Sequence, residues 1–397
     1  MGLWKSTKKQ SSSGIGAISS LLRLARQSCE QVLRTVKASF GHPYSSQKAF
    51  VSLFLVGVSL SIAIASCTPN NSNQSGTSTG GSTPAAKTGD VELTLVSYAV
   101  TRAAYEKIIP QFAQQWKQEH NQNVKFNQSY GGSGSQTRAV VDGLEADIVA
   151  LALALDTKKI EKAGLIAPGW ENEAPNNAIV TKSVGVLVTR DGNPKNIQNW
   201  QDLAKAGVKV ITANPKTSGG ARWNFMALWG AITQTGGDEA KAQEFVNQVF
   251  KNVPVLPRDA REASDAFFKQ GQGDVLINYE NEVILAALNG QKLPYVVPEV
   301  NISIDNPVAV VDKNVDKHGT REVAEAFVKF LYTPAAQREF AKVGFRPVDP
   351  TVEQEFASKY PKIKTLFTAQ DLGGWDAVQS KFFDDGAIFD KIQAGIK

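Results

Sequence analysis

Three short segments rich in small residues have the chemistry needed to bind a negatively charged ligand. They are residues 130–135 (YGGSGS), 214–222 (NPKTSGGAR) and 257–261 (PRDAR). Each follows an apolar run typical of a strand and precedes a segment with the apolar spacing of a helix. The sequence therefore predicts three strand-to-helix turns whose loops are built largely from glycine and other small residues.

Such a turn can hold an anion without a cationic side chain in contact with it. The first backbone N–H groups of a helix have no partner within the helix, and they lie at the positive end of the helix dipole, equivalent to roughly half an elementary charge. Glycine lets the backbone approach a ligand closely, and the hydroxyls of Ser133, Thr217 and Ser218 are further possible donors. Three such turns facing one cleft would bind a dianion.

A single turn of this kind is more often a tight connection than a ligand site, and it is the recurrence in one chain that favours anion binding. None of the three ends in the Gly-Lys-Ser/Thr of a nucleotide-binding P-loop. The histidines are His42, His120 and His318, and no Ser, His and Asp arrangement is indicated. We therefore predict no enzymatic activity, no catalytic residue, no cofactor and no metal site.

The elements that must position these turns alternate between strands and helices. Strands are predicted at 91–97, 124–129, 147–152, 183–189, 208–212, 253–256 and 275–279. Helices are predicted at 101–119, 135–143, from 221 onward and at 239–250. Pro110 is expected to kink or break the first helix. The alternation is typical of an α/β protein with parallel sheets covered on both faces, here in two lobes with a cleft between them.

Length and charge limit the possible partners. The chain has 397 residues, which predicts about two domains in addition to a leader. Eight of the 43 Lys/Arg but only one of the 38 Asp/Glu precede Cys67, so the remainder has 35 basic and 37 acidic residues. Because the body has no basic surplus, we expect no nucleic-acid partner. The cysteines are Cys29 and Cys67, so no disulfide or cysteine-ligated metal is expected in the body.

The region before the body predicts export and a membrane anchor. Residues 49–65 (AFVSLFLVGVSLSIAIA) form an uncharged apolar run of signal-peptide length. Residues 64–67 (IASC) then resemble a bacterial lipobox, which would make Cys67 the lipidated N-terminus; a plain signal peptide or an uncleaved anchor are the alternatives. We expect residues 1–66 to form the leader and 67–89 a flexible tether.

Residues 214–223 (NPKTSGGARW) resemble a signature of the prokaryotic sulfate-binding and thiosulfate-binding periplasmic proteins. The resemblance extends to 128–134 (QSYGGSG), 145–147 (EAD), 250–253 (FKNV), 260–261 (AR), 273–277 (GDVLI) and 310–313 (VVDK), and so spans nearly the whole body. It implies a type II periplasmic-binding-protein fold, with two α/β lobes and the sulfate anion buried between them. It also implies a periplasmic location and a partner, the membrane permease of an ABC sulfate importer.

That fold sets the expected domain boundaries. Lobe I is expected to comprise residues 90–181 and 291–345, and lobe II residues 182–290. The remaining residues, 346–397, are expected to form a C-terminal helical segment that packs across both lobes. We expect the protein to be a monomer.

The resemblance also implies which residues hold the anion. The expected ligand-binding residues are Ala99, Ser133, Ser218, Gly219, Gly220, Ala260 and Tyr279. Ser218 would donate through its hydroxyl and Tyr279 through its phenol, and the others through backbone N–H groups. Arg102, Arg222 and Arg261 match family arginines that are expected near the site but not on the anion.

Two residues depart from the family pattern. Ala99 stands where the family commonly has Asp, a change that keeps the backbone donor. Tyr279 stands where sulfate-specific members have a Trp whose indole N–H touches the anion, and a phenol reaches differently. Sulfate and thiosulfate therefore both remain open as ligands, with a molybdate or phosphate receptor and an extracellular interaction module as more distant alternatives.

Overall fold

The computed structural model describes residues 89–396, so the predicted leader, Cys67 and all of the predicted tether except Gly89 lie outside the described residues. Its strands are β1 (Val91–Tyr98), β2 (Val124–Gly131), β3 (Ile148–Ala150), β4 (Ile179–Ser183), β5 (Gly185–Thr189), β6 (Val210–Ile211), β7 (Val275–Tyr279), β8 (Tyr295–Val296), β9 (Val300–Ile302), β10 (Ile304–Val310) and β11 (Thr365–Phe367). Its α-helices are α1 (Arg102–His120), α2 (Ser133–Val141), α3 (Ala154–Lys162), α4 (Gly219–Thr233), α5 (Glu239–Lys251), α6 (Ala260–Phe268), α7 (Glu280–Leu288), α8 (Asp312–His318), α9 (Arg321–Phe330), α10 (Pro334–Lys342), α11 (Pro350–Glu355), α12 (Gly374–Val378) and α13 (Ile388–Ile396). Within the described range, no helix has the length and apolar character needed to cross a membrane.

The first sheet has five strands in the order β2-β1-β3-β10-β4. Strand β1 runs parallel to β2 and β3, whereas β10 is antiparallel to both β3 and β4. Helix α1 packs its apolar face inward, and its Phe112 ring lies 5.1 Å from that of Phe327 in α9. The predicted break at Pro110 was wrong, because α1 continues without interruption past this residue. Pro110 lies on the exposed face, and the packing of the buried face stabilises the helix on both sides of it.

The second sheet has four strands in the order β6-β7-β5-β8. Strands β6 and β7 are parallel, whereas β5 is antiparallel to β7 and β8. Both sheets are therefore mixed, and the prediction of parallel sheets was wrong in this respect, because β5 follows β4 and β10 follows β9 without a crossover helix. The strand predicted at 253–256 is not formed, since Pro254 within it and Pro257 after it cannot donate to a ladder.

The chain passes from the first sheet to the second at Val184, between β4 and β5, and it enters β10 through Ser303 from β9, which pairs with β11 in a separate two-stranded sheet. The strand predicted at 183–189 is split at Val184. The Asn301 amide joins these two connections by bonding to the N–H and the C=O of Gly185, at 3.0 and 2.8 Å. Strand β8, which the expected boundary at residue 290 assigned to lobe I, pairs with β5 of the second sheet.

The two sheets with their helices form lobe I and lobe II, the two-lobed α/β architecture that the sequence predicted. The segment after Arg346 contacts lobe I, where Glu355 pairs with Arg338 at 2.7 Å, and it also packs against lobe II. The Phe225 ring of α4 lies 5.4 to 6.1 Å from the rings of Phe382, Phe383 and Phe389. Lys216, in the loop before α4, pairs with Asp390 at 2.8 Å. The C-terminal segment thereby supports the loop that precedes α4.

Candidate functional site

Several helix and strand ends meet in a small cavity between the lobes. Its empty volume, which includes space open to solvent, is about 180 Å³. The lining residues are Tyr98, Ala99, Val100, Gly131, Gly132, Ser133, Ala152, Ser218, Gly219, Gly220, Asp259, Ala260 and Tyr279. The structure therefore brings all the predicted ligand-binding residues together, in a space that suits a small ion.

Helix α4 presents its amino end to this cavity. Ser218 is the N-cap residue: its Oγ accepts from the Ala221 N–H at 3.3 Å, and its carbonyl accepts from the Arg222 N–H at 3.3 Å. The N–H groups of Gly219 and Gly220 come before these bonds, and neither has a protein partner in the part of the chain that the structure describes. The Ser218 hydroxyl accepts from Ala221 and so keeps its own proton for donation.

Close packing requires both glycines of this turn. A Cβ on Gly219 would lie 2.5 Å from Ala152 Cβ and from Leu153 Cδ2, both in lobe I. A Cβ on Gly220 would lie 2.7 Å from the Tyr279 ring. A side chain at either position would force the lobes apart or displace Tyr279, so glycine here provides a close approach as well as access to the amides.

Helix α2 begins on the lobe I side of the cavity. Gly132 is its N-cap residue, and its carbonyl accepts from the N–H groups of Ser135 and Gln136 at 2.9 Å. The Ser133 N–H lies ahead of these bonded amides, facing the end of α4. A Cβ on Gly132 would lie 2.5 Å from the Thr217 carbonyl oxygen. The two helix ends therefore approach each other across the cleft with almost no side-chain volume between them.

Two of the three hydroxyls that the sequence offered as possible donors already donate to other protein groups. The Ser133 Oγ donates to Asp156 Oδ2 at 2.7 Å and accepts from the Ala152 N–H at 3.0 Å. The Thr217 Oγ1 donates to the Arg258 carbonyl at 2.6 Å. Ser133 thus presents its N–H to the cavity and not its hydroxyl, and the expectation that Thr217 supplies a donor was wrong.

The remaining backbone donors come from α6 and from the turn after β1. Asp259 caps α6 through its carboxylate, which accepts from the Glu262 N–H at 3.0 Å, so the Ala260 N–H lies ahead of the capped turn. Ala99 begins a 3-10 turn, Ala99–Thr101, directly after β1. Asp259 also lines the cavity, and its Oδ1 is the oxygen that accepts the bond from the Glu262 N–H.

Tyr279 ends β7 and is the N-cap residue of α7. Its side chain is 2% exposed, and no described residue provides a hydrogen-bond partner for its hydroxyl. Burial, with the charges of Asp156 and Glu282, raises the pKa of the phenol well above its usual range, so the group stays protonated and can donate. A buried, unpaired hydroxyl on a cavity wall is free to donate to an acceptor in the cavity.

Arg222 and Asp156 form a buried ion pair that joins the lobes. Arg222 Nη1 lies 2.6 Å from Asp156 Oδ1, and the side chains are 5% and 0% exposed. Asp156 lies in the first turn of α3 in lobe I, whereas Arg222 lies in α4 of lobe II. The sequence placed Arg222 near the site but missed Asp156, because no spacing distinguishes this carboxylate from those on the surface.

The other two predicted arginines also contact protein groups. Arg261 donates twice to Glu282, at 3.0 and 2.7 Å, and the Arg102 guanidinium lies 4.5 Å from the centre of the Tyr130 ring. Among the described residues, no lysine or arginine lines the cavity. An anion there would meet amide dipoles and hydroxyls, with the nearest cations neutralised by protein carboxylates or held against a ring.

Comparisons with known proteins identify the family of this chain. The profile of the bacterial extracellular solute-binding proteins matches residues 93–346. The sulfate-binding protein of Synechococcus elongatus is 58% identical over 352 residues, which are 88% of this chain and 98% of the relative. The thiosulfate-binding protein of Escherichia coli is 37% identical over 308 residues, which are 76% of this chain and 91% of the relative.

A solved structure supports the fold assignment. The sulfate-binding protein SubI from Mycobacterium tuberculosis superposes with a TM-score of 0.68 at 39% identity, over 74% of this chain and 100% of that one. This likeness confirms the two-lobed type II periplasmic-binding-protein fold. The chain belongs to the prokaryotic sulfate- and thiosulfate-binding proteins, within the family of bacterial extracellular solute-binding proteins.

Proposed function

We propose that this protein is an extracytoplasmic receptor that binds sulfate and delivers it to the membrane permease of an ABC sulfate importer. One observation carries the proposal: unpaired N–H groups from three helix starts line a single small cavity whose wall includes no lysine or arginine among the described residues. The sulfate-binding relative is also more similar to this chain than the thiosulfate-binding one.

The number of donors is sufficient for tight binding. The proposed contacts are the N–H groups of Ala99, Ser133, Gly219, Gly220 and Ala260 and the hydroxyls of Ser218 and Tyr279. A dissociation constant of about 1 μM corresponds to about −8 kcal/mol. Hydrogen bonds to an ionised group contribute roughly 1.5–3 kcal/mol each. The proposed contacts together can therefore supply a net binding free energy of this size after the entropic cost of association is subtracted.

The proton count of the ligand accounts for selectivity. Sulfate is fully ionised at neutral pH and needs donors alone, whereas hydrogen phosphate brings a proton that needs an acceptor. Asp156 is bound to Arg222 and Ser133. Asp259, the carboxylate on the cavity wall, accepts from the Glu262 N–H through Oδ1, and its Oδ2 lies 3.9 Å from the Arg258 guanidinium. A buried donor without an acceptor costs about 1–3 kcal/mol, so phosphate is disfavoured.

The distribution of donors accounts for lobe closure. Ala99 and Ser133 belong to lobe I, whereas Gly219, Gly220 and Ala260 belong to lobe II. An anion bonded to both sets lowers the free energy of the closed arrangement, the one in which Asp156 of lobe I meets Arg222 of lobe II. The importer would then recognise the closed, loaded receptor by its differential affinity for that state.

The anchor and the state of assembly complete the proposal. Cys67 would carry the lipid that holds the receptor at the membrane, residues 67–89 would be its tether, and the protein would act as a periplasmic monomer without enzymatic activity. Mass spectrometry of the exported protein tests the anchor, because a lipidated Cys67 adds the mass of acyl chains that a Cys67→Ser variant lacks.

Thiosulfate is the second candidate ligand, because Tyr279 offers a phenol on the cavity wall and the family includes thiosulfate-binding members. Isothermal titration with sulfate, thiosulfate, hydrogen phosphate and molybdate separates the possibilities. Sulfate is expected to bind at micromolar concentration or below, without competition from phosphate. Tighter binding of thiosulfate would select the second candidate, and strong phosphate binding would contradict the proton-count argument.

A further inference from the structure

Asn278, the residue before Tyr279 in β7, connects two walls of the anion cavity. Its side chain is 1% exposed. Its Nδ2 donates to the Ala260 carbonyl at 2.9 Å and to Ser264 Oγ at 3.0 Å, and its Oδ1 accepts from the Tyr279 N–H at 2.8 Å. Ala260 and Tyr279 both line the cavity but belong to different elements, α6 and β7. A single carboxamide therefore holds both of them.

The hydrogen bonds around Asn278 allow one orientation of its amide. Ser264 Oγ donates its single proton to Glu282 Oε2 at 2.8 Å, and Arg261 occupies both Glu282 oxygens. The Ser264 oxygen must therefore accept from Asn278. Turning the amide over would place its oxygen against the Ala260 carbonyl oxygen, so the side chain acts as a spacer of fixed length.

The position of the Tyr279 hydroxyl depends on this spacer. The Tyr279 ring packs directly against Gly220, where an added Cβ would come within 2.7 Å, and the hydroxyl itself has no protein partner in the described residues. The position of the hydroxyl therefore follows from the position of the Tyr279 backbone. The Asn278 side chain holds that backbone by accepting a hydrogen bond from the Tyr279 N–H. The span from the Ala260 N–H to the Tyr279 hydroxyl is thus set by the Asn278 side chain.

We propose that Asn278 is a positioning residue that sets the size of the tetrahedral oxyanion the cavity accepts. It does not touch the anion. It fixes the distance between two donors that come from different elements, and a dianion with longer bonds to oxygen fits that distance less well. The inference rests on the proposed function, since it concerns the same cavity and the same ligand class.

Titration of the full chain with sulfate and with selenate, a larger dianion of the same shape, tests the inference. Relative to the wild type, Asn278→Ala is expected to raise the sulfate Kd about tenfold and to reduce the preference for sulfate over selenate about fivefold, since two positioning bonds are lost. Ser264→Ala keeps the bonds to Ala260 and Tyr279, so a smaller change in the same direction is expected.

Asn224→Ala is the matched control. Asn224 is also a buried lobe II asparagine that donates two hydrogen bonds, to Thr212 Oγ1 and to the Ile277 carbonyl, both at 3.0 Å, and it does not line the cavity. This variant is expected to lower the melting temperature and leave the sulfate-to-selenate ratio unchanged.

The outcomes separate this inference from the proposed function. An unchanged ratio in Asn278→Ala, or an equal change in Asn224→Ala, overturns the role of Asn278. If Asn278→Ala does not fold, the ratio measured for Ser264→Ala decides. Failure of the wild type to bind sulfate would instead contradict the proposed function.

Discussion

The anion cavity and the cluster around His318 lie beyond opposite ends of β3 and handle charge in different ways. Ala152, on the cavity wall, follows β3, whereas Asp147 precedes it. At the cavity, amide dipoles and hydroxyls face the ligand space. At the other end, His318 lies 2.8 Å from Asp147 and 2.9 Å from Glu145, which also pairs with Lys317.

This difference separates pH-dependent stability from ligand binding. Hydrogen bonds to Asp147 and Glu145 raise the pKa of His318, and Lys317 and His318 lower the pKa of Glu145. The cavity donors do not titrate near neutral pH, since backbone amides carry no such proton and burial raises the pKa of Tyr279. A cavity built this way holds its ligand by fixed dipoles, whereas the cluster responds to protons.

The largest effect is expected from breaking the ion pair beside the cavity. Asp156→Asn leaves the buried Arg222 guanidinium without a countercharge, which should lower the free energy of unfolding by about 3–5 kcal/mol and weaken sulfate binding. Urea denaturation and titration measure both. Glu299→Gln is the control, because its pair with Lys364 is exposed, and a change below about 0.5 kcal/mol is expected. Similar losses in the two variants would contradict the special role of the pair.

The next effect is steric and is expected at the helix start itself. Gly219→Ala places a Cβ 2.5 Å from Ala152 and Leu153, across the cleft. Overpacking costs about 1–3 kcal/mol, so the sulfate Kd should rise about 5- to 150-fold. Gly395→Ala provides the control, since a Cβ there meets nothing within 4 Å in helix α13. Unchanged affinity in Gly219→Ala would show that the lobes do not close on this glycine.

A smaller and more selective effect is expected at the phenol. Tyr279→Phe removes an unpaired buried hydroxyl, so the ligand-free protein should be as stable as the wild type or more stable. The sulfate Kd should nevertheless rise about tenfold, because a hydrogen bond to the anion is lost. Tyr105→Phe is matched to it: the Tyr105 hydroxyl is also buried without a described partner, but the residue does not line the cavity. Equal affinities of Tyr279→Phe and Tyr105→Phe for sulfate would exclude the phenol as a contact.

The smallest effect is expected from the distant cluster, and it concerns pH. The folded-state pKa of His318 is raised from 6.5, so its contribution to stability is complete below that value and is lost as pH rises through the raised pKa. Since His318 is partly exposed, the contribution should be about 1 kcal/mol or less. Unfolding measured from pH 5.5 to 8.5 should show this decline, and His318→Gln should flatten it.

The matching measurement on the ligand sharpens the comparison. The sulfate Kd of the wild type and of His318→Gln should be the same and constant between pH 6 and 8, because no group facing the ligand changes its charge there. A Kd that follows the His318 titration would mean that the two regions are coupled through lobe I.

Local signals made much of the site predictable. Glycine and small residues between a strand and a helix identify an amide-rich turn, and the segments 130–135 and 214–222 carried that signal without any contact information. Segment 257–261 has no glycine and no strand before it, and only its helix start was predictable. The resemblance to a known family added Ala99 and Tyr279, which have no local signature. The seven predicted ligand-binding residues all line one cavity, although their contacts with a ligand remain predictions.

Other features could not be predicted because they depend on residues far apart in sequence. Asp156 meets Arg222 across 66 positions, and Asn278 meets Ala260 across 18. Local patterns also failed where tertiary packing decided: α1 continues through Pro110, and the strand predicted at 183–189 divides where the chain passes between the sheets. No local pattern indicated that two carboxylates bind His318.

The sequence by itself determined most of the elements, the chemistry of the glycine-rich turns and the near-neutral charge balance of the body, because propensity, glycine and charge act over a few residues. The tertiary structure alone decided that the three turns face each other, that Arg222 is occupied by Asp156, and that the Ser133 hydroxyl turns away from the cavity. These facts arise from contacts between lobes, where burial makes every unpaired polar group costly and so dictates which donors remain for the anion.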